Sequence, residues 1–350
     1  MNSTQFHKEF KLQGNSFSSI NELIKYSKST SKEVSSFLVE WFNKNSFVEV
    51  NTSGSTGTPK LIQLKKEHMV NSALATGNYF KLPQKTSALL CMSTHYIAGK
   101  MMLVRALTLG WDIDVVEAES NPLKNISKIY DFSAMVPLQL HNSLKDIHKI
   151  KKLIVGGGVV SNDLLNKIQN IETEVFATYG MTETITHIAV KKLNHCHSEL
   201  VEKSNYVSFP NVKLSIDERG CLVIDAPKVS DEVIVTNDLV EIISVNSFHW
   251  LGRFDSIINS GGIKLIPEQI EQKLSKLIKQ RFFVTGIKDA ILGEKLVLLI
   301  EGLETNLSLN KLKELSTLSK FEVPKEVFYV EKFIETPTKK INRNKTVSLL

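Results

Sequence analysis

Apolar side chains at Val34, Phe37, Leu38, Trp41 and Phe42 recur three and four positions apart, and that spacing predicts an amphipathic helix with one buried face. Thr30 and Glu33 stand before it in the order of a capping box. Phe47 to Val50 reads as a short strand that runs into a loop of Gly, Ser and Thr. Short apolar runs then alternate with helical patterns as far as about residue 250. Ala88–Met92, Ile113–Val116, Ala134–Val136, Leu153–Val155 and Val175–Ala177 read as buried strands. Such alternation predicts a layered α/β domain with much parallel sheet.

Gly252-Arg253-Phe254-Asp255 marks a boundary. Beyond it Pro267 opens a helix with Ile270, Leu274, Leu277 and Ile278 on one face. Phe282–Val284 and Leu296–Ile300 read as strands, Leu309 to Leu318 as a second helix, and Glu326–Val330 as another strand. The expected division is a large α/β domain over residues 1–252 and a small one over residues 253–350. No internal repeat or low-complexity tract interrupts the pattern.

Composition narrows the function classes. A chain of 350 residues that is 42% hydrophobic can bury a sizeable core. Lysine and arginine total 43 against 37 acidic residues, a mild +6, and the lysines are scattered. A nucleic-acid protein would carry a denser basic stripe, so no nucleic-acid partner is expected. Cys91, Cys196 and Cys221 cannot build a disulfide framework and lack metal-type spacing, which suits a reducing cytoplasm. The polar N-terminus lacks the apolar run of a signal peptide. Nowhere do about 18 apolar residues run together, so no membrane span is expected.

The densest chemical signal is Thr52-Ser53-Gly54-Ser55-Thr56-Gly57-Thr58-Pro59-Lys60. Its hydroxyls and glycines leave backbone N–H groups free to form a concave nest for phosphate oxygens, and Lys60 adds a point charge. A Walker A loop needs Gly-x-x-x-x-Gly-Lys-Ser/Thr, whereas here Pro59 precedes the lysine. Gly156-Gly157-Gly158 follows an apolar strand, where missing side chains let a flat ring approach the backbone; a plain tight turn would read the same way. His195-Cys196-His197 is too cramped for a zinc site and reads as a loop.

These stretches resemble the adenylate-forming superfamily of acyl-CoA synthetases, firefly luciferase and nonribosomal peptide adenylation domains. The matching motifs run in the family's order from residue 52 to residue 343. Tyr179-Gly180-Met181-Thr182-Glu183 matches Tyr-Gly-x-Thr-Glu. Thr236-Asn237-Asp238 resembles Thr-Gly-Asp, with an asparagine that tolerates left-handed backbone in place of glycine. Gly252-Arg253-Phe254-Asp255 and Ser260-Gly261-Gly262-Ile263-Lys264-Leu265-Ile266-Pro267-Glu268 match the hinge and its following loop. Thr336-Pro337-Thr338-Lys339-Lys340-Ile341-Asn342-Arg343 resembles Pro-x-Gly-Lys-Ile-x-Arg, with Lys339 at the glycine.

The resemblance implies a large adenylation domain, a small mobile α+β C-terminal domain, and ATP, Mg²⁺ and CoA as the groups bound. It implies that Thr52, Ser53, Gly54, Ser55, Thr56, Gly57 and Lys60 hold phosphate, and that Gly156 and Gly157 line the adenine and acyl pockets. Tyr179 would stack near adenine, Thr182 contact the α-phosphate, Glu183 hold Mg²⁺, and Asp238 accept from the ribose hydroxyls. Arg253 would bind ribose or phosphate, Asp255 would be the hinge, and Gly261 and Gly262 would lie beside the pantetheine tunnel. Lys340 would contact the carboxylate and α-phosphate during adenylation.

With the phosphate loop as early as residue 52, the architecture resembles the short o-succinylbenzoate–CoA ligases of menaquinone synthesis. The segment Ser93 to Arg105 resembles that group's aromatic-pocket stretch, which brings in His95. Arg105 is the first candidate for the acid's second carboxylate and Lys100 the second. The expectation is a cytoplasmic AMP-forming ligase, monomer or homodimer, acting on a small carboxylic acid. Another acyl- or aryl-CoA ligase, or an adenylation enzyme loading a carrier protein, is the alternative. A non-catalytic nucleotide-binding regulator fits less well with Lys340, Glu183 and Arg253 all intact.

Overall fold

A serine in extended backbone can satisfy the free N–H groups of a helix start, and two serines do so in turn. Ser19 opens α1 (Ile20–Thr30), and Ser31 ends that helix and caps α2 (Lys32–Trp41), its hydroxyl accepting from the Val34 N–H. The expected capping box of Thr30 and Glu33 does not form, because the cap is Ser31, one residue on. Glu33 turns away from the cap and accepts from the Ser93 hydroxyl at 2.7 Å and the Thr94 N–H at 3.2 Å. The computed structural model describes residues 5–51, 61–194, 205–304, 307, 309–336 and 341–350.

The short strand β1 (Lys11–Leu12) precedes these helices. After them β2 (Phe47–Asn51) and β3 (Leu61–Lys65) pair antiparallel, joined through residues 52–60, which lie outside the described residues. Then follow α3 (Lys66–Phe80), β4 (Ser87–Leu90), α4 (Ile97–Leu109), β5 (Asp112–Val115), β6 (Tyr130–Met135) and α5 (Pro137–Asn142). β7 (Ile150–Val155), α6 (Asn162–Lys167) and β8 (Glu174–Gly180) complete this run. The strands line up as β1-β5-β4-β6-β7-β8, all parallel.

Alternation of helix and strand stops there among the described residues. β9 (His187–Lys192), β10 (Tyr206–Ser208), β11 (Lys213–Ile216), β12 (Cys221–Asp225), β13 (Ile234–Ser244) and β14 (Ser247–Arg253) extend the same sheet, every pair antiparallel, in the order β9-β10-β14-β13-β12-β11. The α/β class stands, but half of the twelve-stranded sheet departs from the expected parallel pattern. Consecutive strands joined by short turns pair with each other and need no crossover helix.

Both faces of the parallel half are covered. Ala88, Leu90, Phe132 and Ile154 face a core built with α2, α3 and α4, while Leu89, Leu153 and Val155 face one built with α5 and α6. Gly99 to Thr108 in α4 are buried in an unbroken run, as in a helix apolar all round. The second sheet uses β15 (Ile258–Ser260), β16 (Ile263–Leu265), β17 (Phe282–Asp289), β18 (Gly293–Glu301) and β19 (Glu326–Val330). α7 (Pro267–Leu274) places Ile270 and Leu274 on that sheet's own core, with Pro267 at its first turn. The helix expected over 309–318 is shorter: α8 spans Leu309–Lys313 and the chain continues in turns. The last helix is α9 (Arg343–Val347). Among the described residues no helix is long and apolar enough to cross a membrane.

Gly99 shows how closely α4 is seated. A Cβ there would lie 2.3 Å from the Ser93 carbonyl oxygen, a backbone atom that cannot swing aside. Gly99→Ala is expected to cost about 2 kcal/mol or more through overpacking. Urea unfolding should show a lower midpoint with unchanged slope. An unchanged midpoint would mean that the loop yields without cost.

Candidate active site

In an open parallel sheet the carboxyl ends of the strands form one edge, and ligands bind outside it. The chain leaves β7 into Gly156-Gly157-Gly158 and leaves β8 at Tyr179-Gly180 into Met181-Thr182-Glu183, both on that edge. Gly156 is required by contact, since a Cβ would lie 2.6 Å from the Thr178 hydroxyl, and Gly157 has a positive φ of 78°. Asp238 and Arg253 face each other across β13 and β14.

The most concentrated electrostatics surround Asp238, which is 7% exposed. The Tyr179 hydroxyl donates to one carboxylate oxygen at 2.7 Å and the Trp250 indole N–H to the other at 3.1 Å. Arg253 lies 3.8 Å away and makes a two-pronged bond to Asp255 at 3.0 and 2.7 Å. The Tyr179 ring sits edge-on to Phe248 at 5.0 Å and tilted to Tyr206 at 5.7 Å. Burial, reinforced by the Asp238 charge, drives the Tyr179 hydroxyl far above the ordinary tyrosine range, so it stays a donor. Sequence reading found Tyr179, Asp238 and Arg253 but not Trp250, an indole that packs as an ordinary strand residue until its N–H is located.

Thr182–Thr184 form a single 3₁₀ turn with Glu183 exposed. The next residue, Ile185, has φ 66° and ψ −65°, and the Thr186 N–H bonds the Thr184 carbonyl at 2.7 Å. That is a γ-turn of the rare, strained kind, at a β-branched residue. Gly180 makes it feasible, because a Cβ there would lie 1.9 Å from the Thr186 carbonyl oxygen.

Beyond the turn the backbone delivers Thr186 and His187 to Arg105. Arg105 is 2% exposed, and its guanidinium donates to the Thr76 and Thr186 hydroxyls, each at 3.3 Å. Burial pulls its pKa down to about 9, which leaves it a cation at neutral pH. Burial and the Arg105 charge hold the His187 imidazole well below its usual value, so it is neutral and 3.3 Å from Thr76. Lys100 is engaged elsewhere, bonding Glu40 at 2.6 Å and the Glu49 carbonyl at 3.3 Å. His95 stays at the surface, 3.2 Å from Glu33.

Gly261 and Gly262 have φ of 57° and 82° and form the two-residue turn between β15 and β16. A hairpin of this type demands positive φ at both positions, which explains the glycine pair locally. Thr52, Ser53, Gly54, Ser55, Thr56, Gly57, Lys60 and Lys340 lie outside the described residues, as does the histidine–cysteine cluster at 195–197. Among the described residues no group of three His, Cys, Asp or Glu side chains is arranged to hold a metal ion.

A family model described as AMP-binding enzyme matches residues 49–228. The chain is 37% identical to a solved acyl-CoA synthetase (AMP-forming)/AMP-acid ligase II-like protein from Dyadobacter fermentans, over 91% of this chain and 93% of that one, with a TM-score of 0.60. The 2-succinylbenzoate–CoA ligase of Geobacillus sp. is 24% identical over 85% of this chain and 68% of its own length. The o-succinylbenzoate coenzyme A synthetase of Bacillus subtilis, solved with ATP and magnesium, shares the fold at 19% identity and a TM-score of 0.71, over 85% of this chain and 69% of that one.

The buried rings give a pH signature. Burial raises Tyr179 and Tyr130 and pushes Tyr206 up to about 12. A tyrosine whose folded pKa is raised keeps its proton longer than the unfolded chain does, so stability falls as pH climbs above roughly 10. Tyrosinate absorbance should therefore show these three unionised until the chain unfolds. All seven tyrosines ionising together near pH 10 would contradict the burial.

Proposed function

The chain belongs to the AMP-binding enzyme family, and from that premise we propose that it is an AMP-forming ligase that joins o-succinylbenzoate (2-succinylbenzoate) to CoA through an acyl-adenylate. The observation that carries the reading is the Asp238 cluster. A buried carboxylate held by Tyr179 and Trp250 still has acceptor sites to offer the hydroxyls of a ribose. The finer choice of acid rests on the names of the relatives at about a quarter identity and on Arg105. Among the described residues Arg105 is a buried cation with hydroxyl partners and no carboxylate, and a second carboxylate on the substrate would supply the missing charge.

The proposed reaction begins with a carboxylate oxygen bonding to the α-phosphorus of ATP as pyrophosphate leaves. The CoA thiol then attacks the acyl carbon, its proton is lost, and AMP leaves. Both first reactants are anions, so positioning and fixed positive charge are the catalysis required. In this reading Lys340, Lys60 and Arg253 supply the charge, Thr182 and residues 52–57 hold phosphate, and Gly156 and Gly157 leave room for the base. Mg²⁺ would neutralise the phosphate oxygens, and it binds through one or two carboxylates plus phosphate rather than a protein cage. The single exposed Glu183 suits that role.

We also read residues 253–350 as a separate domain that turns about Asp255, withdrawing Lys340 and presenting the Gly261-Gly262 hairpin to the thiol. The second sheet begins only at Ile258, which supports the division. Asn162 of α6 meets Ser275 at 2.6 Å and the Gln272 carbonyl at 3.3 Å, a small polar contact that such a turn can break.

Lys340→Ala should abolish adenylate formation and spare thioester formation from supplied acyl-adenylate; equal loss in both assays would refute the assigned role. Arg105→Ala should raise KM for o-succinylbenzoate at least tenfold more than KM for ATP, the scale of losing a charged hydrogen bond. Mass spectrometry of products from ATP, CoA and a panel of acids tests the substrate itself. Failure to form o-succinylbenzoyl-CoA, with turnover of another acid, would reassign it.

A further inference from the structure

Asp238 sits in a distortion of the sheet. Between β12 and β13 the register runs from Cys221↔Leu239 to Val223↔Val235, so β12 advances two residues while β13 advances four. Thr236, Asn237 and Asp238 therefore bulge from the ladder. A bulge re-aims a side chain and strips its backbone of ladder partners, which must be replaced.

Arg219 replaces them. Its guanidinium donates to the Thr236 carbonyl at 2.9 Å and to the Asn237 side-chain oxygen at 2.9 Å. Asp217 fixes the arginine, accepting from its Nε at 2.8 Å and from its backbone N–H at 2.9 Å. The guanidinium also lies over the Phe254 ring at 5.1 Å, beside the boundary segment. Within the bulge the Thr236 hydroxyl accepts from the Asp238 N–H at 3.0 Å and donates to the Leu222 carbonyl at 2.8 Å. Neither Arg219 nor Asp217 falls within any of the motifs matched above.

We propose that Arg219 is a positioning residue that, through Thr236 and Asn237, holds the bulge so that the Asp238 carboxylate meets the two hydroxyls of the nucleotide ribose. The proposal rests on Asp238 being the ribose acceptor. A carboxylate offers about four lone-pair sites. Tyr179 and Trp250 take two, and a cis-diol supplies two more donors. Asn237 then does more than tolerate a turn where the resembled Thr-Gly-Asp motif has glycine, since its amide oxygen is the handle by which Arg219 grips the bulge. The arginine side chain is 38% exposed, so its loss opens no cavity.

Calorimetric binding of ATP and of 2′,3′-dideoxy-ATP to the full chain tests this. The wild type should bind ATP at least tenfold more tightly than the dideoxy nucleotide. Arg219→Met should lose about tenfold in ATP affinity, the scale of one charged hydrogen bond, with dideoxy affinity unchanged. Arg219→Lys should recover part of the difference, and Asn237→Leu should behave like Arg219→Met. If Arg219→Met fails to fold, those two variants carry the same comparison. A variant that weakens both nucleotides equally, or neither, overturns the proposal and leaves Asp238 standing. A wild type that does not discriminate removes Asp238 as the ribose acceptor, and the proposal falls with it.

Discussion

A carboxylate taken out of water must be surrounded by donors, and the sheet is organised around meeting that demand at Asp238. The donors come from different parts of the chain. Tyr179 donates from the end of the parallel run and Trp250 from β14 of the antiparallel run, where Arg253 adds its charge at 3.8 Å. One buried charge thus ties the two halves of the sheet together at the edge where ligands would bind. Tyr206 and Phe248, stacked at 5.5 Å, both pack against the Tyr179 ring there. In such surroundings each hydrogen bond is stronger, and a missing one is more costly.

The transition between the halves is bought with local strain. Between Gly180 and His187 the chain must leave a parallel strand and return antiparallel beside it. The conformation this demands at Ile185 is one that β-branched residues avoid. Burial of Ile185 to 1% exposure offsets the cost, and the Thr184 hydroxyl lies 3.0 Å from the Met181 carbonyl and 2.7 Å from that of Thr186. The return is geometric. Thr182 and Glu183 are held at the mouth of the edge while Thr186, three residues on, is turned to Arg105.

Much of this was legible because burial writes itself into the sequence. β4 and β7 end in fully buried apolar residues, Ala88–Leu90 and Leu153–Val155, and those runs stand out in the sequence, while Glu326–Val330 was bounded by its β-branched and aromatic residues rather than by burial. β11 and β13 are wet on one side, with Ile216 and Val235 more than half exposed, and their weaker pattern hid an all-antiparallel region. Motif order led to Tyr179, Asp238, Arg253 and Arg105. Trp250 and Arg219 escaped because their roles depend on register and on a bulge, neither of which leaves a local signature. Gly261-Gly262 carries two readings at once, since a hairpin turn already requires the glycine pair that the resemblance sets beside a ligand tunnel.

The same contrast between buried and exposed charge bears on where the chain can bend. Arg253 has two acidic neighbours of unlike character: Asp238, buried and shared with two other donors, and Asp255, 40% exposed and bonded in two-pronged fashion. An exposed pair contributes roughly 0.2–1 kcal/mol, whereas uncovering one partner of a buried charge costs about 3–5 kcal/mol. A turn of the chain at Asp255 therefore gives up the cheap contact and leaves the expensive one intact. Gly252 is bare for a packing reason, because a Cβ there would meet the Glu268 carboxylate and the Ile266 side chain at 2.6 Å, so the start of α7 packs directly on this backbone. A joint at residues 252–255, as proposed, would thus have its weak bonds on the side that moves and its strong ones on the side that would hold the nucleotide.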